Sequence, residues 1–273
     1  MSDRTFRFSV IAGSNSSGPE WIALARRVES LGYDMLHVPD VPELGAPFST
    51  AALAAGATTT LRVGTYVLVA PVRTAESIAH EAATMHRLTD GRFELGLGTG
   101  RPGAERLAAM LGTEFPASAS ERIDRVVSAA RAVRARGDGP RILVAAGGPR
   151  ILGVAGQIAD TVAFALPPSA DEAAHARAAA LVRDAAGDRF DDIELASRIL
   201  VVGDSLVPGA ERWLGGTPAE LAAAGSTAVL LGTPSEMVAT LSRFRDNVGV
   251  SYFAVDAAAL DALAPVVERL AGR

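Results

Sequence analysis

The sequence predicts an α/β chain folded as a (β/α)₈ (TIM) barrel, and three observations predict it. Strand-length apolar runs alternate with helical stretches eight times along 273 residues. No linker, low-complexity tract or break in composition divides them, so residues 1–273 read as a single domain. Strand–helix alternation implies a parallel sheet, and eight repeats at this length favour a closed barrel over its rival, an open doubly wound sheet.

The elements follow in order. Residues 6–12 form a strand, and 19–31 form a helix whose Trp21, Ile22, Leu24, Ala25, Val28 and Leu31 recur at helical spacing. Gly32 ends that helix. A short strand at 34–38 stops at Pro39-Asp40, a helix covers 49–60, and a β-branched strand covers 62–69. The helix at 74–90 has Thr74 or its neighbour as cap and Gly91 just past its end. A strand at 92–97 precedes helical pieces at 104–111 and 118–136, the second opened by Ser118-Ala-Ser-Glu121, which is shaped like a capping box. Then come strand 141–146, helix 149–159, strand 161–166, helix 169–186 and strand 193–203. Helical pieces run to about 224, and helix 235–246, strand 251–255 and helix 258–270 close the chain. Residues 227–231 resemble a strand but read as the lead-in to the next helix, not as a barrel stave.

Composition removes whole classes of chemistry. The chain has no cysteine, which excludes disulfides, thiol catalysis and Cys-ligated zinc. All 26 basic residues are arginine, so Schiff-base chemistry and a phosphate-loop lysine are excluded as well. The net charge is −5 with no basic stripe, which argues against nucleic acid as a partner. No run of about 18 apolar residues exists to span a membrane, and the N-terminus does not read as a signal peptide, so a cytoplasmic protein is expected. No His/Asp/Glu cluster has metal-ligand spacing, no Gly-x-Ser-x-Gly elbow occurs, and no Ser-His-Asp order can be assigned.

A barrel builds its site at the carboxyl ends of its strands. The most informative of these ends is 141–149, Arg-Ile-Leu-Val-Ala-Ala-Gly-Gly-Pro. The strand stops at Gly147-Gly148, which leaves bare backbone amides, and Pro149 suits the first position of a helix. Such an end is either a phosphate cradle or a tight turn that binds nothing. Gly98-Thr-Gly100-Arg-Pro-Gly103 carries the letters of a dinucleotide fingerprint, but on the fourth strand, with Pro102 in the turn and no acid at the expected distance. It reads better as a glycine-rich rim against which a flat ligand can lie. Asp40 at the second strand's end can orient a ligand, move a proton or merely cap a turn. His37 within that strand reads as a core imidazole, His80 and His86 as surface residues, Glu94 as half of a buried ion pair with an arginine, and His175, in a polar helix, has no role. Few acid–base groups beside a phosphate cradle suggest that a bound cofactor carries the chemistry.

Across nearly its whole length the chain resembles the luciferase-like flavin and deazaflavin oxidoreductases. The resemblance rests on Glu29-Ser-Leu-Gly-Tyr-Asp34 leading to Pro39-Asp40, on Leu61-Arg-Val-Gly-Thr-Tyr-Val67, and on residues 79–88 running into Thr89-Asp-Gly-Arg-Phe-Glu-Leu-Gly-Leu-Gly-Thr-Gly100. Ala145-Ala-Gly-Gly148, Ala155-Gly-Gln-Ile-Ala-Asp160 and Gly232-Thr-Pro-Ser-Glu236 complete it. The chain resembles the branch that uses coenzyme F420, a deazaflavin, more than it resembles the bacterial luciferases; FMN is the alternative cofactor. The resemblance implies that Ala146, Gly147, Gly148 and Pro149 hold the cofactor phosphate. It implies that Tyr66-Val67 form a bulged, non-prolyl cis peptide behind the ring, that Thr65 and Gly98-Thr99-Gly100 line the ring and tail, and that Asp40 sits at the ring's polar edge as the catalytic candidate. By position, Arg101 and Arg73 are candidate ligands for a substrate carboxylate or the cofactor's acidic tail.

The chain also departs from the family's sugar-phosphate dehydrogenases. Val41 stands where they carry histidine, Arg101 where they carry an acid, and their phosphate-binding lysines are absent. Thr74-Ala75 follows Arg73 in place of the usual His-Pro or Asn-Pro, and the insertion after the fourth unit is short. The expected function is hydride transfer between the deazaflavin and a small or medium organic substrate, such as a C=C or C=N bond in a secondary metabolite. The alternatives are a monooxygenase using reduced FMN and a non-catalytic flavin- or partner-binding barrel. A homodimer is implied by the resemblance alone.

Overall fold

Eight parallel strand positions close on themselves, and helices surround them. The computed structural model describes residues 4–14, 17–206, 210 and 214–273. The strands are β1 (Arg7–Ile11), β2 (Met35–Val38), β3 (Arg62–Thr65), β4 (Leu68–Val69), β5 (Phe93–Gly98), β6 (Arg141–Ala146), β7 (Thr161–Phe164), β8 (Glu194–Ile199), β9 (Val201–Val202), β10 (Ser205–Leu206), β11 (Val229–Leu230) and β12 (Val250–Asp256). The helices are α1 (Gly18–Ser30), α2 (Pro47–Ala57), α3 (Ala75–Leu88), α4 (Ala104–Met110), α5 (Ala119–Arg134), α6 (Pro149–Ile158), α7 (Glu172–Ala186), α8 (Pro218–Ala223), α9 (Pro234–Val248) and α10 (Leu260–Leu270). The ladder runs β3-β2-β1-β12-β8-β7-β6-β5-β4, and pairing of β3 with β5 closes the ring.

Both faces of the strands are buried, which is why they read as apolar runs and not as alternating ones. Outward, Phe8, Leu36, Phe93 and Phe253 pack beneath the helices, meeting Val28 of α1, Ala82 of α3 and Leu263 of α10 in one core. Each such side chain contributes about 1.5–3 kcal/mol by leaving water. Inward, the lumen has a polar floor in which Glu94 accepts from Arg7 at 2.9 Å and from Arg62 at 2.8 Å, while Arg7 also donates to Glu194 at 2.8 Å. Burial pushes the Glu94 carboxyl up, but Arg7 and Arg62 outweigh it and hold it below the usual range. Above this floor Leu143, Ala163, Ala196 and Tyr252 fill the middle, in contact with Tyr66 and Val67.

The helix ends follow the residues expected to make them. Thr74 caps α3 by accepting from Ser77 N–H, and Ser118 accepts from Glu121 N–H at the start of α5. Pro149 occupies the first turn of α6. Helix α2 begins at Pro47 and ends at Ala57, earlier at both ends than 49–60, because proline presets its first turn.

Three expectations are corrected. The run at 62–69 is not one strand: β3 and β4 are separated by Tyr66-Val67. Val63 pairs with Phe93 and Leu68 with Leu97, so the β3–β4 side holds one more residue than β5 over the same stretch. The run at 193–203 also divides. Beyond β8, strand β9 leaves the barrel and joins β10 and β11 in a separate three-stranded sheet with its own cluster of Leu200, Val201, Leu214, Leu221 and Val229. The strand-like run at 227–231 thus belongs to that sheet and not to the barrel. His175, read as lying in a polar helix, is buried between the Phe164 and Phe244 rings, with Nε2 3.2 Å from Ser197 Oγ. It locks α7 onto β8.

Candidate active site

The carboxyl ends of the strands enclose a cleft of about 330 Å³. One wall is Tyr66, Val67 and Val69, and beside it are Gly98, Thr99, Gly100 and Arg101; Asp40, Ala145, Ala165 and Arg198 are among the other lining residues. The Tyr66–Val67 peptide is cis. Glycine in β5 makes room for this bulge: a Cβ on Gly98 would stand 2.5 Å from Val67 Cγ2, and one on Gly96 would stand 2.0 Å from the Thr65 carbonyl oxygen. Thr65 does not reach the cleft. It is buried, with its hydroxyl donating to Gly96 O at 2.7 Å and accepting from Gly96 N–H at 2.9 Å, and so clamps β3 to β5 below the bulge.

Asp40 and Arg73 meet each other. Arg73 donates to Asp40 Oδ2 at 2.6 Å and to Oδ1 at 3.1 Å, and Val69 N–H donates to Oδ2 at 2.9 Å. Both carboxylate oxygens of Asp40 are therefore occupied, and the contact ties the end of β2 to β4. Arg73, expected to bind substrate, is directed to this pair and does not line the cleft. Arg101 does line it, as an exposed residue at the rim.

Gly147 and Gly148 lie one strand away, at the start of α6. A Cβ on Gly147 would stand 2.3 Å from Ala165 O, which explains a glycine on packing grounds, whereas a Cβ on Gly148 would meet nothing within 4 Å. Gly148 is the N-cap of α6, and no side chain caps this helix. The first-turn amides, at the positive end of the helix dipole, are therefore left without a side-chain cap, an arrangement that fits an anionic group such as a phosphate. Ala146, one residue earlier, is buried, with its carbonyl accepting from Ala165 N–H at 2.8 Å.

Arg198 escaped the sequence reading; its only signal was a charge near the carboxyl end of β8, the end that opens at the rim. His37, read as a core imidazole, is one, and it lies beneath Tyr66. The His37 ring is buried 5.1 Å from the Tyr66 ring and 6.0 Å from the Tyr252 ring, with Nε2 3.5 Å from the Tyr252 hydroxyl and Nδ1 without a partner. Burial brings its pKa down to about 3, against a weaker upward pull from Glu94. Burial also pushes the Tyr66 phenol up, while Arg198 pulls it down. Among the described residues, no group of His, Asp and Glu side chains is arranged to hold a metal ion, and no helix is long and apolar enough to cross a membrane.

A closed parallel barrel with its cleft at the carboxyl ends of the strands is the architecture of the (β/α)₈ barrel enzymes. The luciferase-like monooxygenase family model matches residues 5–205, and the chain belongs to that family. No curated protein sequence matches it. Its fold is similar to an F420-dependent secondary alcohol dehydrogenase solved with an F420–acetone adduct, at 17% identity and a TM-score of 0.74, covering 98% of this chain and 99% of that one. It is likewise similar to the coenzyme F420-dependent tetrahydromethanopterin reductase from Methanopyrus kandleri, at 15% identity and a TM-score of 0.74, covering 98% and 100%. A third similar structure is the oxygenating constituent of 3,6-diketocamphane monooxygenase from Pseudomonas putida in complex with FMN, at 14% identity and a TM-score of 0.73, covering 98% of each chain.

Proposed function

We propose that the protein is a coenzyme F420-dependent oxidoreductase that transfers a hydride between the deazaflavin and a small or medium organic substrate. The observation that carries this reading is the character of the cleft's ionisable groups. Asp40, Tyr66, Arg101 and Arg198 are those among its described lining residues, and Asp40 is already clamped by Arg73. Without a free base or nucleophile, the cleft suits a bound group that carries its own redox chemistry. The deazaflavin, when bound, supplies a carbon that donates or accepts a hydride.

The chain's own residues do the rest. Val67 and Tyr66 back one side of the cleft and would support a flat ring there, leaving its opposite side to the substrate. The amides at Gly148 and the start of α6 hold the phosphate. Tyr66, kept protonated by its burial, offers an O–H for orientation. Asp40 holds β4 against β2 and so fixes the mouth of the bay.

Titration of the purified protein with oxidised F420 and, separately, with FMN tests the proposal, followed by cofactor absorbance or fluorescence. Saturable F420 binding without FMN binding is expected. FMN binding alone would move the assignment to a reduced-FMN monooxygenase, and binding of neither would leave a non-catalytic barrel.

A further inference from the structure

Arg198 lines the cleft as a poorly satisfied cation with a buried, unpaired donor. It lies on β8 in register with Ala254 of β12, and two residues before it, on the same face of the strand, Ala196 packs in the lumen cluster beside Tyr66 and Val67. Its nearest carboxylate is Asp256, with Nη2 3.8 Å from Oδ2, too long for a hydrogen bond. The other Asp256 oxygen accepts from Ala258 N–H at 3.1 Å. Arg198 Nε is buried and makes no hydrogen bond, although one third of the side chain, 33%, is exposed. The Arg73–Asp40 pair in the opposite wall shows the contrast, with two contacts of 2.6 and 3.1 Å.

We propose that Arg198 is the anchor that selects a substrate bearing a carboxylate, held beside the bay that Val67 backs. This rests on the function proposed above and names the substrate class of that same cleft. A planar guanidinium with loosely engaged donors matches a planar monoanion through two parallel N–H···O bonds. A single guanidinium, already offset in part by Asp256, suits one negative charge better than the two of a phosphate monoester. Arg101 stands apart, exposed at the rim, and Arg73 is closed off by Asp40, so the anchoring falls to Arg198.

Calorimetric titration with benzoate, and with benzamide as its neutral counterpart, tests the anchor on protein with and without F420. The proposal expects benzoate to bind the wild type more tightly than benzamide. It expects Arg198→Met to weaken benzoate about tenfold, as loss of a charge-assisted contact would. Arg198→Lys retains part of the preference, and benzamide binds all three proteins alike. Equal benzoate affinity in the wild type and Arg198→Met would overturn the proposal. So would a fall in F420 affinity in Arg198→Met that the tail-less deazaflavin chromophore does not share, because Arg198 would then serve the cofactor's acidic tail. Failure of F420 to bind sinks the proposed function instead, while the benzoate–benzamide comparison on the cofactor-free protein still decides the anchor.

Discussion

Replacing His37 with glutamine will flatten the protein's pH-dependent stability between pH 7 and 5. In the unfolded chain this imidazole takes up a proton near 6.5, whereas in the folded protein burial defers that to about 3. Between those values the unfolded state binds more protons than the native state, so stability falls as pH falls through 6.5. The full gap corresponds to about 5 kcal/mol at ~1.4 kcal/mol per unit, of which about 2 kcal/mol is lost between pH 7 and 5. Nothing at the site relieves this. His37 Nδ1 has no partner, the Tyr66 and Tyr252 rings flank the imidazole, and the attraction of Glu94 is opposed by Arg7. Urea unfolding at pH 7, 6 and 5 on wild type and His37→Gln measures the effect, and the difference between the two slopes cancels the carboxylates that titrate lower. Identical slopes would refute the argument, because His37 would then have to reach water or a proton acceptor that the fold does not provide.

Three further outcomes follow from the glycines and the buried ion pair. Gly148→Ala leaves thermal stability within about 0.5 kcal/mol, since its Cβ enters open space, yet weakens cofactor binding in the same titration that tests the function. Gly147→Ala instead lowers the melting temperature, because its Cβ would collide with the Ala165 carbonyl; the reverse pattern would deny Gly148 its place in the cradle. Asp40→Ala leaves the Val69 N–H without an acceptor and the Arg73 guanidinium without its charged partner, with only a 3.5 Å contact to Val69 O, at a cost of about 3 kcal/mol read by urea denaturation; a loss below about 1 kcal/mol would mean that water replaces the carboxylate.

The sequence exposed most of the barrel because a parallel strand covered on both faces has an unmistakable apolar run, and proline and glycine punctuate the helices around it. Pro149 announced α6, Thr74 announced α3, and Glu94 in an apolar strand announced its arginine partners. What stayed hidden depends on contacts between distant segments. Tyr66 and Val67 are strong β-formers, so nothing local interrupts the run at 62–69, and the bulge was legible only through the family resemblance; Gly96 and Gly98, some thirty residues on, leave space for it. Arg73 looked available because its partner, Asp40, lies on another strand. His175 sits on a helix whose composition is polar, yet its own face meets two phenylalanine rings.

The extra residue between β3 and β4 also sets the parity of the wall. In a regular stave, side chains alternate between lumen and helix layer, so an insertion of one residue reverses the assignment of everything beyond it. Here that reversal falls at the rim, where β4 pairs again with Leu97 and Gly98. Chain length at this point therefore matters more than residue type. A substitution at Tyr66 or Val67 would reshape the bay, while loss of a single residue would return β4 to the phase of β3 and close the bay altogether. The cleft is a dislocation in the barrel wall, sensitive to deletion in a way that the neighbouring staves are not.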